Sequence, residues 1–116
     1  MKKVYIIAPL GGDVAANIER AKIYARYAFE RGTTPVVPHF YALILDDDIP
    51  EQRTLGLRAG QSLLWLCDEA WVFCEQITPG MQGEIQLAEH LGIRVRYYRQ
   101  KERNGGKEFY ETKKYC

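Results

Sequence analysis

The sequence predicts one α/β domain built on a doubly wound parallel sheet of four to five strands. Three observations carry this reading. A chain of 116 residues holds one core and not two. Short β-branched apolar runs alternate with stretches of helical periodicity, in the order β, α, β, α, β, α, β. The first run is continuously apolar rather than alternating, as expected of a strand covered on both faces.

Val4 to Ala8 is that first, central strand, stopped by Pro9, Gly11 and Gly12. From Asp13 to Arg31 the apolar positions Val14, Ile18, Ala21, Ala25, Ala28 and Phe29 recur at helical spacing, with Asp13 as N-cap and Gly32 as stop. Thr34 to Pro38 is a short second strand, followed by an aromatic turn, His39, Phe40 and Tyr41. Ala42 to Leu45 reads as a short helix. Pro50 opens another that runs to about Cys67, weakened by Gly56 and Gly60. Glu69 to Cys74 is the next strand, Gly80 to Leu91 a helix closed by Gly92, and Ile93 to Tyr98 the last strand. Residues 1–99 form the domain. Residues 100–116 are expected as a charged C-terminal tail, with Glu102, Glu108 and Glu111 interrupting its cations and Gly105 and Gly106 loosening it.

Composition narrows the function classes. Lysines and arginines number 16 against 15 acids, and no stretch gathers cations as a duplex-binding face requires, so nucleic acid is not expected as a partner. Cys67, Cys74 and Cys116 have no metal-binding spacing, and their odd number argues against a disulfide framework; they read as reduced thiols. No apolar run is long enough to span a bilayer, and the start lacks a cleavage-site pattern, so a cytoplasmic location is expected.

Ligands of such sheets bind beyond the carboxyl ends of the strands, where strand order reverses. Three loops should meet there. Ala8 to Asp13, with Pro9 and Gly11, leads into a helix N-terminus that offers donors to an anion, or is simply a tight turn needing glycine. Pro38 to Tyr41 offers rings to a base or sugar and the His39 imidazole to a phosphate or hydroxyl, or else packs on the core. Asp46, Asp47 and Asp48 lack further ligands at metal spacing and read as an exposed acidic turn. The third loop, Thr78 to Glu84, carries the sharpest signal. Glu84 shares a helical stripe with Ala88 and Leu91, so it points from the first turn toward the sheet, and Gly80 and Gly83 clear space around it. A carboxylate held by backbone donors and the helix dipole is expected to stay ionised, which suits a nucleophile at an anomeric carbon.

Three stretches carry a family resemblance: Val4 to Leu10, Cys67 to Phe73, and Gly80-Met81-Gln82-Gly83-Glu84 with Ala88 and Gly92 after it. Together they resemble the nucleoside 2-deoxyribosyltransferase-like superfamily, in particular its small phage and bacterial branch, over residues 3 to 98. The resemblance implies a flavodoxin-like sheet, homo-oligomers with sites near subunit contacts, and hydrolysis or transfer at the N-glycosidic bond of a deoxynucleoside or its 5′-monophosphate. It implies neither cofactor nor metal. Glu84 matches the family's nucleophile, and Tyr5 and the Pro9 loop fall where the family contacts sugar or phosphate.

One departure sets this chain apart. Active members of the superfamily carry an aspartate where this chain has Gly60, and no acid lies between Glu51 and Asp68. Arg53, Arg58, Gln61 and Ser62 populate that helix instead. Either the reaction differs or the domain binds a nucleotide without cleaving it. The expected binding residues are thus Tyr5, Pro9, Gly11, Asp13, His39, Tyr41, Arg58, Gly80 and Met81 around Glu84. A third alternative is a partner-binding module using the aromatic-rich end, Tyr97, Tyr98, Phe109, Tyr110 and Tyr115.

Overall fold

The structure, a computed structural model, describes residues 1–73 and 75–113. Cys74, Cys116 and Tyr115, singled out above, lie outside the described residues. Strand β1 (Lys3–Ile7) is buried from Val4 onward, as its uninterrupted apolar sequence requires. Gly12, at φ +87°, makes the left-handed turn that ends the following loop, a conformation open to glycine without strain. Helix α1 (Val14–Glu30) begins under the carboxylate of Asp13, which accepts from the Ala16 N–H at 3.1 Å. Strand β2 (Thr34–Val36) lies parallel to β1, with Tyr5 opposite Val36.

A 3-10 helix, Pro38–Leu43, replaces the expected aromatic turn and short helix. Helix α2 (Pro50–Leu64) starts at its proline but ends before Cys67. The Leu66 and Cys67 N–H groups turn back to the carbonyls of Leu63 and Leu64 at 3.0 and 3.1 Å. Strand β3 (Glu69–Phe73) and helix α3 (Pro79–His90) follow, the helix capped by Thr78, whose hydroxyl accepts from the Met81 N–H at 3.2 Å. Strand β4 (Arg94–Arg103) runs five residues past the expected end at Tyr98 and turns through Asn104 and Gly105 into β5 (Gly106–Thr112).

The expected solvated tail is therefore sheet over residues 100–103 and 106–112. Its residues pair antiparallel with β4 from Tyr97 opposite Thr112 to Arg103 opposite Gly106, so the last expected strand is not an open edge. Its Phe109 ring meets Phe73 edge-on at 5.3 Å and Tyr24 at 5.8 Å. Arg96 ties three strands together, reaching Glu69 of β3 at 3.3 Å and Glu111 of β5 at 2.7 Å.

The sheet order is β2-β1-β3-β4-β5, with β5 the antiparallel member. Alternation along the strands builds two cores. Val4, Ile6, Trp71, Phe73 and Tyr98 face α1, where Tyr24 stacks on Phe73 at 4.6 Å. Tyr5, Ile7, Ala70, Val72 and Tyr97 face the other way, against Leu64, Met81, Ile85 and Ala88 of α2 and α3. The chain leaves β1 one way through α1 to β2, and returns over β1 through α2 to β3. The strand order reverses there, and the crevice that opens is where the candidate site lies. Cys67 is buried, and burial pushes its thiol up to about 11, so it is protonated and inert. No helix among the described residues is long and apolar enough to cross a membrane.

Candidate functional site

A cleft of about 510 Å³, within the range that holds a drug-sized ligand, opens above the carboxyl ends of β1 and β2, between α2 and α3. Its floor is a pair of side chains from distant parts of the sequence. The Tyr5 hydroxyl, from the α2-facing side of β1, donates to Glu84 Oε2 of α3 at 2.7 Å. Glu84 is partly exposed to the cleft, whereas Tyr5 is buried.

Helix α2 reaches this pair only because residue 60 is glycine. A Cβ at Gly60 would stand 3.0 Å from Tyr5 Oη and 3.1 Å from Pro38 Cβ, tighter than side chains normally pack. The space for a side chain at residue 60 is thus taken by the Tyr5 hydroxyl and the Pro38 ring, and an aspartate there would need them to move.

The electrostatics of Glu84 differ from the sequence expectation. Because α3 starts at Pro79, Glu84 sits in the second turn, beyond the reach of the helix dipole, and its hydrogen bond comes from a tyrosine rather than from backbone donors. Burial pushes its carboxyl up to about 7, the Tyr5 hydroxyl opposing this in part. The side chain is accordingly divided between acid and carboxylate near neutrality, not a fixed anion. Burial, then the charge of Glu84, pushes the Tyr5 hydroxyl far above its ordinary value, so it remains a donor.

His39 is also buried, at 3% exposure, with Nε2 2.9 Å from the Ala8 carbonyl. A carbonyl only accepts, so Nε2 carries the hydrogen; Nδ1 is buried without a partner. Burial lowers the His39 pKa, which leaves a neutral ring rather than the phosphate-pairing cation expected as one alternative.

Of the residues singled out in the sequence, Tyr5, Gly11, His39, Tyr41, Gly80, Met81 and Glu84 line this one cleft. Pro9, Asp13 and Arg58 do not. Asp13 is spent on capping α1, and Arg58 is exposed, off the α2 face that carries Gly56 and Gly60. The anion site expected at the α1 N-terminus is likewise engaged within the chain. Val14 N–H bonds Gly12, Asp13 takes Ala16, and Asn17 Nδ2 donates to the Leu10 and Gly11 carbonyls at 2.9 and 3.0 Å.

Asp47 and Gln52 line the cleft without having been expected there, and so do Arg53 and Gln61, which the sequence offered only as candidate phosphate-binding residues of the helix that carries Gly60. Gly56 and Gly60, one turn apart, mark the α2 face that Arg53 shares, so helical periodicity contained that signal. Asp47 is not merely part of an exposed acidic turn: its Oδ2 holds Arg53 Nη1 at 2.7 Å over the Gly11 loop.

A family model described as a domain of unknown function, DUF7768, matches residues 2–98. Among solved structures, the chain is similar to a 2-deoxyribosyltransferase from the psychrotolerant bacterium Bacillus psychrosaccharolyticus. The TM-score is 0.68 at 16% identity, over 84% of this chain and 72% of that one. At that identity the likeness is one of fold. No curated protein matches the chain.

Proposed function

We propose, from the premise that this chain belongs to the DUF7768 family and shares the fold of a 2-deoxyribosyltransferase, that it is a nucleoside-site protein acting on an N-glycosidic bond. The observation that carries this reading is the Tyr5–Glu84 pair at the floor of a nucleoside-sized cleft. Tyr5 holds Oε2, which leaves Oε1 to attack the anomeric carbon of a deoxynucleoside or its 5′-monophosphate. As the new C–O bond forms, the C–N bond breaks and its electron pair leaves on the base nitrogen, which takes up a proton. Water then adds at the anomeric carbon, releasing the sugar and restoring Glu84; an acceptor base in place of water completes a transfer. Glu84→Gln should abolish base release from a panel of deoxynucleosides and their monophosphates; persistence of the release would refute the nucleophile role.

One observation favours a second reading. General acid catalysis contributes about 10²- to 10⁴-fold, and neither Gly60 nor the pinned Tyr5 proton supplies it to the leaving base. The cleft would then retain a nucleoside or a nucleotide-derived signal uncleaved. Equilibrium dialysis followed by chromatography separates the two readings: free base marks the enzyme, and intact bound ligand marks the binder. A homo-oligomer fits either reading, supported by the exposed Leu43, Ile44, Leu55, Trp65 and Leu66, on the 3-10 helix and α2 and just past their ends. Light scattering that gave a monomer at every concentration would rule it out.

A further inference from the structure

The charges around the cleft do not suit every ligand of the class just proposed. Among the described residues that line it, Arg53 is the one side chain fully cationic at neutral pH. His39 has given its Nε2 hydrogen to the Ala8 carbonyl and is neutral. Asp13 caps α1, and Thr78 accepts the Met81 N–H at the start of α3. The remaining ionisable groups there that bear on charge are acids, Asp47 and Glu84.

Arg53 is moreover already paired. Its Nη1 lies 2.7 Å from Asp47 Oδ2, and that nitrogen is 3.8 Å from where a Gly11 Cβ would stand, so the ion pair sits beside the glycine loop. Asp47 is the more buried partner, 19% exposed against 47% for Arg53. A phosphate ester carries about 1.5 to 2 negative charges at neutral pH. A phosphate that reached the remaining N–H groups of Arg53 would meet a guanidinium whose charge Asp47 already balances, with the Asp47 carboxylate beside it and Glu84 beyond as repelling acids.

We infer that Asp47 is a specificity-determining residue: by neutralising Arg53 it makes the cleft select an uncharged glycoside over the corresponding phosphate ester. This rests on the nucleoside-site reading above and narrows it. Removing the acid while keeping the shape of the loop frees Arg53 to pair with phosphate.

The test is calorimetric titration of wild type, Asp47→Asn, Asp47→Ser and Asp47→Asn/Arg53→Gln. The probes are 2′-deoxyadenosine, 2′-deoxyadenosine 5′-monophosphate, ribose 5-phosphate and inorganic phosphate. Wild type should bind the nucleoside more tightly than its monophosphate. Each single variant should raise monophosphate affinity relative to nucleoside by about tenfold, the scale of one charged hydrogen bond, and the double variant should lose that gain. A wild type that prefers the monophosphate, or an Asp47→Asn ratio equal to wild type in a folded variant, overturns the inference. Ribose 5-phosphate and inorganic phosphate make the test independent of base recognition. Binding to Asp47→Asn but not to wild type supports the role of Asp47 even if no nucleoside binds, an outcome that would refute the nucleoside-site reading alone. Tight binding of either phosphate probe to wild type refutes the inference alone.

Discussion

Three residues decide what the cleft can do, and each is read differently once its neighbours are known. Glu84 was legible as an inward-facing carboxylate from its helical stripe alone. Its protonation was not, because the burial that raises its pKa is set by tertiary packing, and the Tyr5 hydroxyl that partly opposes it arrives from a strand 79 residues away. That hydroxyl stabilises the carboxylate, so Tyr5→Phe should raise the Glu84 pKa above its present value of about 7 and lower the ionised fraction at neutrality. If the carboxylate is the nucleophile, base release rises as pH passes that value, and in Tyr5→Phe the rise moves to higher pH; an unmoved profile would disconnect the pair from turnover. Gly60 was legible as an anomaly in a helix, but the cause was hidden: the Tyr5 hydroxyl and the Pro38 ring occupy the space of its side chain. Gly60→Ala is accordingly expected to lower stability by about 1 to 3 kcal/mol through overpacking, read from urea unfolding, even though alanine is the better helix former.

At the scale of elements, periodicity found all three helices, and proline and capping signals placed their starts to within a residue. What it missed was length and direction at the ends. Helix α3 begins one residue earlier than expected, so Glu84 is its sixth residue, in the second turn rather than the first-turn position read from the sequence, and away from the dipole. Helix α2 was long enough to read, yet Arg58 rather than Arg53 was taken from it, since the side that faces the cleft is set by Gly56 and Gly60 packing on neighbours. The segment around Asp47 has no periodicity, so its pairing with Arg53 left no mark in the sequence. Thr78 caps the helix that carries Glu84, and Thr78→Ala should cost about 1 kcal/mol in chemical unfolding. Thr78→Ser, which keeps the accepting oxygen, should recover most of that loss.

For the whole molecule, the order of strands and helices was legible because parallel strands joined by helices leave few arrangements. The fifth strand was not. Residues 99–108 alternate cations, acids and glycines with few apolar positions, the composition of a solvated segment, because the outer part of this hairpin is exposed on both sides. Its anchoring rests on a few contacts, chiefly Phe109 among Tyr24, Tyr27 and Phe73, and Glu111 on Arg96. Phe109→Ala should therefore destabilise the domain by about 2 kcal/mol, less than a fully buried phenylalanine, with faster hydrogen exchange across β5 before global unfolding. Uniform exchange across the chain would show instead that the hairpin and the core open together.

The same aromatic layer gives the protein a built-in optical probe. Trp71 lies within it at 3% exposure, its ring 4.8 Å from Tyr98 and its indole N–H donating to Glu69 at 2.8 Å, while Trp65 stands 68% exposed just past the end of α2. Iodide should thus quench Trp65 and spare Trp71. The emission that survives quenching comes from the core on the α1 side of the sheet, and the emission that is lost comes from the C-terminal cap of the helix that walls the cleft, so a single fluorescence titration follows both halves of the molecule separately.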